Sequence, residues 1–600
     1  MNKIITVILF VAAFCNTACS QDHQKAEQWV TNFKNIEKNT VVLNNGKEVL
    51  PFINLEEKKI ASIDLGFSHS IAFDSLANKF SKIDHFNANV YIAKNDLKAL
   101  IDDLKFYNTL ILCLSDVSVF NTEVMAFIKE MEQKKQVVIT VFGDARSLSK
   151  LDEINSPIIW CPQHNDDGAN FTAQLIFGGT STSAKLTKNY SVKYQSGIGF
   201  EVKKIRLKYT VPEEVGINTN VLKAIDEVAN EAIREKATPG MVVLVAKDGK
   251  VIFNKAYGYH TYEKELANKV SDIFDLASIT KTSATTLEVM RLYEQDKLNL
   301  DTTISTYLAR TRNTDKQNIK VKEVMLHQAG FIPFIPFYND IKPSDFSRDS
   351  SENYNLKVAD SFYMKKEYYQ EVMWKRMIES PIRTRGNYVY SDLSMYFMQE
   401  MVETISQTPL AFTVQKNFYQ PLGMTTTGFN PRYRFSKSQI VPTENDTQFR
   451  KTLLLGYVHD QGAAMAGGVA GHAGLFSNAT DLATLYQMLL NRGTYGGKRY
   501  FKPSTVDLFT AKQSNISRRG LGFDRWDPDQ SKGYPSKSAS SQSFGHTGYT
   551  GTCVWVDPKH NLVYILLSNR VHPQVSDKLS KLNIRPRIQD IIYQAIGVSN

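Results

Sequence analysis

The tetrapeptide Ser278-Ile279-Thr280-Lys281 stands where an apolar, strand-like stretch, Ile273 to Ala277, gives way to a helical pattern from Thr282 to Gln295. A serine in the first turn of a helix holds its oxygen near unpaired backbone N–H groups and the positive end of the dipole. A lysine three residues on shares its helix face. A desolvated amine can give up its proton near neutral pH and help activate the hydroxyl. The tetrapeptide alone is a weak signal, since Ser147-Leu148-Ser149-Lys150 has the same form. Two further motifs follow in chain order. Tyr390-Ser391-Asp392 comes after Arg385-Gly386-Asn387 and precedes an amphipathic segment, Leu393 to Ile405. His546-Thr547-Gly548 comes after a Ser/Gly-rich stretch and leads into Thr552 to Val556, which reads as a strand.

This ordered set resembles the serine β-lactamase and penicillin-binding protein superfamily. The nearest branch is the class C β-lactamases, D,D-peptidases and related esterases, in which a tyrosine takes the place of the class A glutamate base. Leu326-His327-Gln328-Ala329-Gly330, Gly471 to Ser477 and Asp481-Leu482-Ala483 are similar to segments of that branch. The resemblance covers residues 208–600 and implies an α+β domain, an antiparallel sheet flanked by helices.

It also implies roles. Ser278 is the nucleophile that forms an acyl-enzyme; the alternative is a helix N-cap. Lys281 accepts or relays its proton. Tyr390 is the general base, and a phenol needs neighbouring cations to act near neutrality; Lys281 and His546 are the candidates. Asp392 stands where class C β-lactamases have Asn. An ionised Asp only accepts hydrogen bonds, which fits esterase and peptidase relatives better than β-lactam hydrolysis; the alternative is an N-cap. His546 replaces the Lys of Lys-Thr-Gly and would be partly charged at pH 7, giving a pH-dependent hold on a substrate carboxylate; the alternative is a structural strand histidine. The backbone N–H groups of Ser278 and Tyr549 form the oxyanion hole. Thr547 and Gly548 contact substrate, the glycine letting the strand approach closely. His327 and His472 lie in segments that read as structural and receive no catalytic role.

Six hundred residues exceed one ordinary domain. The net charge of +10 is spread along the chain and favours a basic surface with some attraction to anionic wall polymer. No nucleic-acid motif accompanies it. Lys3 and the apolar run Ile4 to Phe14 read as an export signal. Asn16-Thr17-Ala18-Cys19 resembles a lipobox with Cys19 as the lipidated residue, although an aliphatic residue is usual at Asn16. Cleavage after Ala18 or Ser20 is the competing reading. No transmembrane helix is expected, so the membrane is reached through the lipid anchor only. Of five cysteines, Cys113, Cys161 and Cys553 remain after Cys15 and Cys19, which is no disulfide framework and no zinc spacing. No cofactor or metal is expected.

Residues 20–45 are polar and read in part as a tether. Beyond them Lys59 to Leu65, Asn108 to Leu114 and Gln136 to Phe142 read as strands, with a helix from Phe120 to Lys134. That alternation predicts a mostly parallel sheet with helices on both faces. Val41 to Asn45, Leu50-Pro51-Phe52 and Ala173 to Gly179 resemble the α/β C-terminal domain of glycoside hydrolase family 3. In that family the nucleophile sits on a preceding TIM barrel, which has no room here. Residues 1–19 are thus assigned to the signal, 20–207 to this domain and 208–600 to the hydrolase domain. A hairpin is expected from Met241 to Ala256 around Asp248-Gly249, and the Ser-rich stretch Ser536 to Ser543 reads as a mobile loop.

The reading is an exported serine hydrolase, anchored as a lipoprotein facing the periplasm or cell surface. It would act through an acyl-enzyme on a D-amino-acid peptide of peptidoglycan type, a related amide or ester, or a β-lactam. Its N-terminal domain would position it or bind wall glycan, by fold-level analogy. Two alternatives stay open: a non-catalytic wall-binding scaffold, and a partner of a β-N-acetylglucosaminidase-type glycosidase.

Overall fold

The computed structural model describes the backbone of residues 2–94 and 96–598, and the side chains of 21–94 and 96–598. The side chains of the candidate export signal, Cys19 among them, lie outside the described residues. Among the described residues, no helix is long and apolar enough to cross a membrane. The chain divides into two compact units. One is Met1–Glu214 with Gln420–Thr425 and Tyr495–Lys498; the other is Val215–Tyr419, Thr426–Thr494 and Arg499–Asn600.

The first unit is built on strands β1 (Val41–Leu43), β2 (Ile60–Leu65), β3 (Ile83–Asn87), β4 (Thr109–Ser115), β5 (Gln136–Phe142) and β6 (Ile158–Cys161). Their order is β1-β6-β5-β4-β2-β3. All neighbours are parallel except β1, which runs antiparallel to β6. Ala61, Ile63, Leu110, Leu112 and Ile139 share one core with Phe127, Ile128 and Met131. The alternate residues Ile60, Ile111 and Val138 are buried too. Successive strand side chains point to opposite faces, so both faces of the sheet are covered, as near-continuous apolar strands require.

Helices α1 (Asn2–Asn39), α2 (Ser70–Ala77), α3 (Thr122–Lys134) and α4 (Asp166–Phe177) accompany this sheet. The stretch expected as a tether is instead the docked end of α1. Ala26, Val30, Phe33 and Ile36 are buried, and their spacing makes one apolar stripe. The Phe33 ring lies 5.2 Å from Phe171 of α4, and Trp29 Nε1 donates to Asp167 at 3.1 Å. Its polar composition had hidden a stripe of four apolar residues.

The second unit carries an antiparallel sheet of β7 (Gly240–Lys247), β8 (Lys250–Gly258), β9 (Asp524–Arg525), β10 (Phe544–Thr547), β11 (Cys553–Asp557) and β12 (Leu562–Ser568). The order is β9-β10-β11-β12-β7-β8. The β7–β8 turn is the expected Asp248-Gly249, with φ of 53° and 69°, the left-handed pair that a tight hairpin needs. On one face α5 (Ala224–Arg234) packs beside α9 (Ile584–Ala595), burying Ile225 and Ile588 with Val243, Trp555 and Tyr564. Helices α6 (Thr286–Glu294), α7 (Leu393–Ser406) and α8 (Ala479–Leu490) belong to the same unit, and α8 lies against β12 and β7. The unit is α+β, as expected.

The Ser-rich stretch is not a free loop. Ser536, Ser540 and Ser543 are buried, and Ser540 donates to Asp557 at 2.5 Å. The Ser540 bond and the burial of its neighbours tie down a stretch whose composition suggests a solvated loop. Cys113, Cys161 and Cys553 are buried and free.

If α1 is part of the first core, Phe33→Ala should destabilise that unit by about 3–5 kcal/mol. Chemical denaturation of the full chain measures it; an unchanged midpoint would restore the tether.

Candidate active site

The turn that carries Ser278 follows a two-residue strand, Phe274–Asp275, paired with Leu475–Ser477. The buried Asp275 carboxylate accepts from the N–H groups of Ala277 at 2.9 Å and His459 at 2.7 Å. These bonds hold Ala277 at φ 47°, a left-handed conformation that alanine rarely adopts. Strain of this kind persists only where surrounding contacts over-determine it. The reversal delivers Ser278, half-buried, to the start of a helix. That helix opens with a π turn, Lys281–Thr285, before it becomes α6.

Lys281 is wholly buried, and its Nζ has three partners. It donates to Ser278 Oγ at 2.8 Å and to the His472 carbonyl at 3.2 Å, and it lies 2.8 Å from Asp392 Oδ1. Burial pushes its pKa down, but Asp392 and Tyr390 beside it push harder, and the net direction is upward. Lys281 is therefore an ammonium that donates to the serine oxygen. The neutral amine that desolvation alone would produce is prevented by Asp392. Asp392 begins α7, yet its side chain makes no cap bond there; it serves Lys281 instead.

Tyr390 lies among charged and aromatic groups. Its ring centroid is 5.0 Å from Lys281 Nζ, 5.2 Å from the Arg519 guanidinium carbon, 4.7 Å from the His327 ring and 6.0 Å from the His546 ring. His327, given no role from sequence, holds the segment in place. Its carbonyl accepts from Val389 N–H at 3.0 Å, and its Nδ1 accepts from Ser391 N–H at 3.2 Å. Burial, then Arg519, Lys281 and His546, keep this imidazole neutral.

His546 departs from its expected part-time charge. It is buried, and Nδ1 sits 2.7 Å from the Thr547 carbonyl, so Nδ1 carries the proton. Nε2 is a bare acceptor without a partner among the described residues. Burial, then Arg519 and Lys281, push its pKa down to about 3. A neutral histidine supplies no cation to Tyr390 and holds no carboxylate by charge. Arg519 supplies the second cation. Nearly fully buried, it donates from Nε to Tyr388 Oη at 3.1 Å and stands 3.8 Å from Asp524. Burial opposes its charge, while Asp524, Tyr388 and Tyr390 sustain it. The sequence offers only an Arg518-Arg519 pair with no fixed spacing to any motif.

The end of β10 closes on the turn that carries Ser278. A Cβ at Gly548 would fall 2.1 Å from Thr552 Oγ1 and 2.4 Å from the Leu276 carbonyl. Thr550 and Thr552 donate to the carbonyls of Asp275 and Leu276 at 2.7 and 3.2 Å. Glycine is thus required for β10 to lie beside the serine turn. Among the described residues, neither Ser278 N–H nor Tyr549 N–H donates to a protein acceptor, which leaves both donors free along this seam. Thr547 is half-buried beside them.

Asp392, Asp460 and His472 bring one ligand atom each within 4.8 Å of one another. Those groups already have partners: Asp392 has Lys281, and Asp460 Oδ1 meets His472 Nε2 at 2.9 Å and accepts from Ala463 N–H at 2.7 Å. The arrangement orients the His472 carbonyl toward Lys281.

The charge state of His546 is open to direct test. The unfolded chain takes up a proton at histidine near pH ~6.5, the folded chain only near pH about 3. Stability is therefore lost as pH falls through that window. The difference in unfolding free energy between the full chain and His546→Asn should change by up to about 1.4 kcal/mol per pH unit between them. A flat difference would return the histidine to the charged state.

The Beta-lactamase family profile matches residues 225–586. A protein of Escherichia coli (strain K12) named "Putative D-alanyl-D-alanine carboxypeptidase" is 30% identical over 399 residues, covering 62% of this chain and 88% of its own. A Bacillus subtilis (strain 168) protein named N-acetylmuramyl-L-alanine amidase is 32% identical over 400 residues, covering 62% of this chain and 86% of its own. A solved penicillin-binding protein homologue from Caulobacter crescentus aligns with a TM-score of 0.47 at 16% identity, over 63% of this chain and 98% of that one. A match over more than half the chain, on the unit that holds the serine, lysine and tyrosine together, means that the protein belongs to the β-lactamase family and is a serine hydrolase.

Proposed function

We propose that this hydrolase cleaves an amide bond in a peptidoglycan-type peptide, or a related ester, through an acyl-enzyme on Ser278. The observation that carries the reading is the Lys281 ammonium, held by Asp392 at 2.8 Å and donating to Ser278 Oγ at 2.8 Å. An ammonium in that place cannot accept the serine proton. The acceptor is then Tyr390, whose phenolate would sit between the charges of Lys281 and Arg519.

In this mechanism Tyr390 takes the Ser278 proton as Oγ attacks the acyl carbon. The free N–H groups of Ser278 and Tyr549 receive the oxyanion. The C–N bond then breaks, and Tyr390 returns the proton to the departing nitrogen. The Tyr390 phenolate then takes a proton from water as its oxygen attacks the acyl carbon, the Oγ–C bond breaks, and Tyr390 returns the proton to Ser278 Oγ. Thr547 and Gly548 border the substrate along β10. The names of the Escherichia coli and Bacillus subtilis relatives both refer to amide bonds of wall peptides, which supports this substrate class. Export and anchorage through Cys19, and wall-glycan binding by the first unit, complete the proposal.

Intact-protein mass after mixing residues 21–600 with penicillin and with a short D-Ala-D-Ala peptide tests it. A Ser278-dependent adduct or Ser278-dependent release of D-alanine is expected, absent in Ser278→Ala. Tyr390→Phe should lower acylation by about 10²–10⁴-fold. An adduct that survives Ser278→Ala would overturn the assignment, as would full activity in Tyr390→Phe.

A further inference from the structure

The two amides assigned to the oxyanion lie on separate segments, and one residue touches the supports of both. His459 donates its backbone N–H to the buried Asp275 carboxylate at 2.7 Å. The same carboxylate accepts from Ala277 N–H at 2.9 Å, one residue before Ser278. The His459 imidazole stacks on the Tyr549 ring, with centroids 5.1 Å apart and planes 13° from parallel.

Tyr549 needs such a hold. It follows Gly548 and is 51% exposed. Glycine leaves the backbone free to turn, and an exposed residue after it has little packing to fix its N–H. Two ring contacts supply the restraint: the His459 imidazole on the one hand, and on the other the Arg570 guanidinium, whose carbon lies 4.8 Å from the ring centroid.

His459 is itself firmly held. Its side chain is 12% exposed, and Nδ1 lies 2.9 Å from Glu444 Oε2, which fixes the rotation of the ring. Its carbonyl accepts from Arg450 Nη2 at 2.8 Å. Arg450 is buried and also donates to Asp446 at 2.7 Å and to the Val458 carbonyl at 2.6 Å. Glu444 and Asp446 share one strand of a hairpin, paired with Thr452–Leu454. The next residue, Asp460, meets His472 Nε2, and the His472 carbonyl accepts from Lys281.

We propose that His459 is a positioning residue for the oxyanion hole. Its amide sets the turn that carries Ser278, and its ring sets the Tyr549 amide, so that both N–H groups face one oxygen. The inference rests on the acyl-enzyme reading above. Oxyanion donors act when held about 2.7–3.1 Å from the oxygen that forms in the transition state. A misplacement of about 1 Å can cost about 10²-fold in rate. In this role His459 and Glu444 exchange no proton with the substrate. An interaction made only in the transition state shows in the rate and not in the affinity for the unreacted ligand.

The rate at which a fluorophosphonate labels Ser278 in the full chain tests this. Ser278 Oγ bonds to phosphorus, fluoride leaves, and the phosphoryl oxygen takes the oxyanion's place. No labelling of the native chain would sink the acyl-enzyme reading and this inference with it. With labelling present, the saturating rate constant in His459→Ala should fall about 10–100-fold, with the half-saturating concentration unchanged. That constant reports folded protein alone, so a merely structural loss would reduce the amount labelled and leave the rate. His459→Phe, which keeps a ring on Tyr549, should recover most of the loss. Tyr549→Ala is the second variant, should the first not fold, and should show the same fall. Combined with His459→Ala it should add little, because both remove one contact. An unchanged rate in either alanine variant, no recovery in His459→Phe, or two losses that multiply would overturn the proposal while leaving Ser278 as the nucleophile.

Discussion

The site depends on one buried pair, the Lys281 ammonium and the Asp392 carboxylate. Taking a lysine fully out of water costs several kcal/mol, and excellent geometry is needed to offset it. Here one carboxylate and two neutral oxygens do so. The consequences spread outward. The serine oxygen receives a proton donor, and Tyr390 gains a neighbouring cation. Burial first, and then Arg519 together with that cation, hold both His327 and His546 in the neutral form. A positive imidazole there would be opposed by two charges already in place.

The backbone meets this electrostatic arrangement with a matching constraint. Ala277 is bent into a left-handed conformation and β10 is pressed against the same turn, with glycine at the point of contact. The bend points Ser278 at Lys281, and the contact brings the Tyr549 amide to the same seam. Each depends on buried threonine hydroxyls and on Asp275, residues that touch neither the serine oxygen nor the lysine. Precision at the reacting atoms is thus supplied by a layer of ordinary hydrogen bonds behind them.

The motifs were legible in the sequence because each lies within a few residues of chain. Ser278 with Lys281, Tyr390 with Asp392, and His546 with Gly548 need only local spacing. Three of the six strands of the first sheet, β2, β4 and β5, were legible for the same reason, as short apolar runs, whereas β1, β3 and β6 were not read as strands. What could not be read were features created by packing. Arg519 reaches Tyr390 from a segment 129 positions away, with no spacing to mark it. The neutrality of His546 follows from burial and from two cations that only the fold brings near. The docked stripe of α1 and the anchored serines before β10 were masked by polar composition, which reports average exposure and not the few contacts that decide it.

The sheet of the second unit has a temporal consequence. Strand β7, near the start of that unit, is hydrogen-bonded to β12, near its end. A chain emerging in order must hold β7 without its central neighbour until almost everything else has been made. The N–H of Tyr549 and the glycine that lets β10 approach the serine also arrive late, long after Ser278 itself. Contacts so distant in sequence form slowly, because loop closure must precede the energy they return. Ser278 is thus made early and its surroundings are completed last, so a partly made chain carries the serine without the site that would use it.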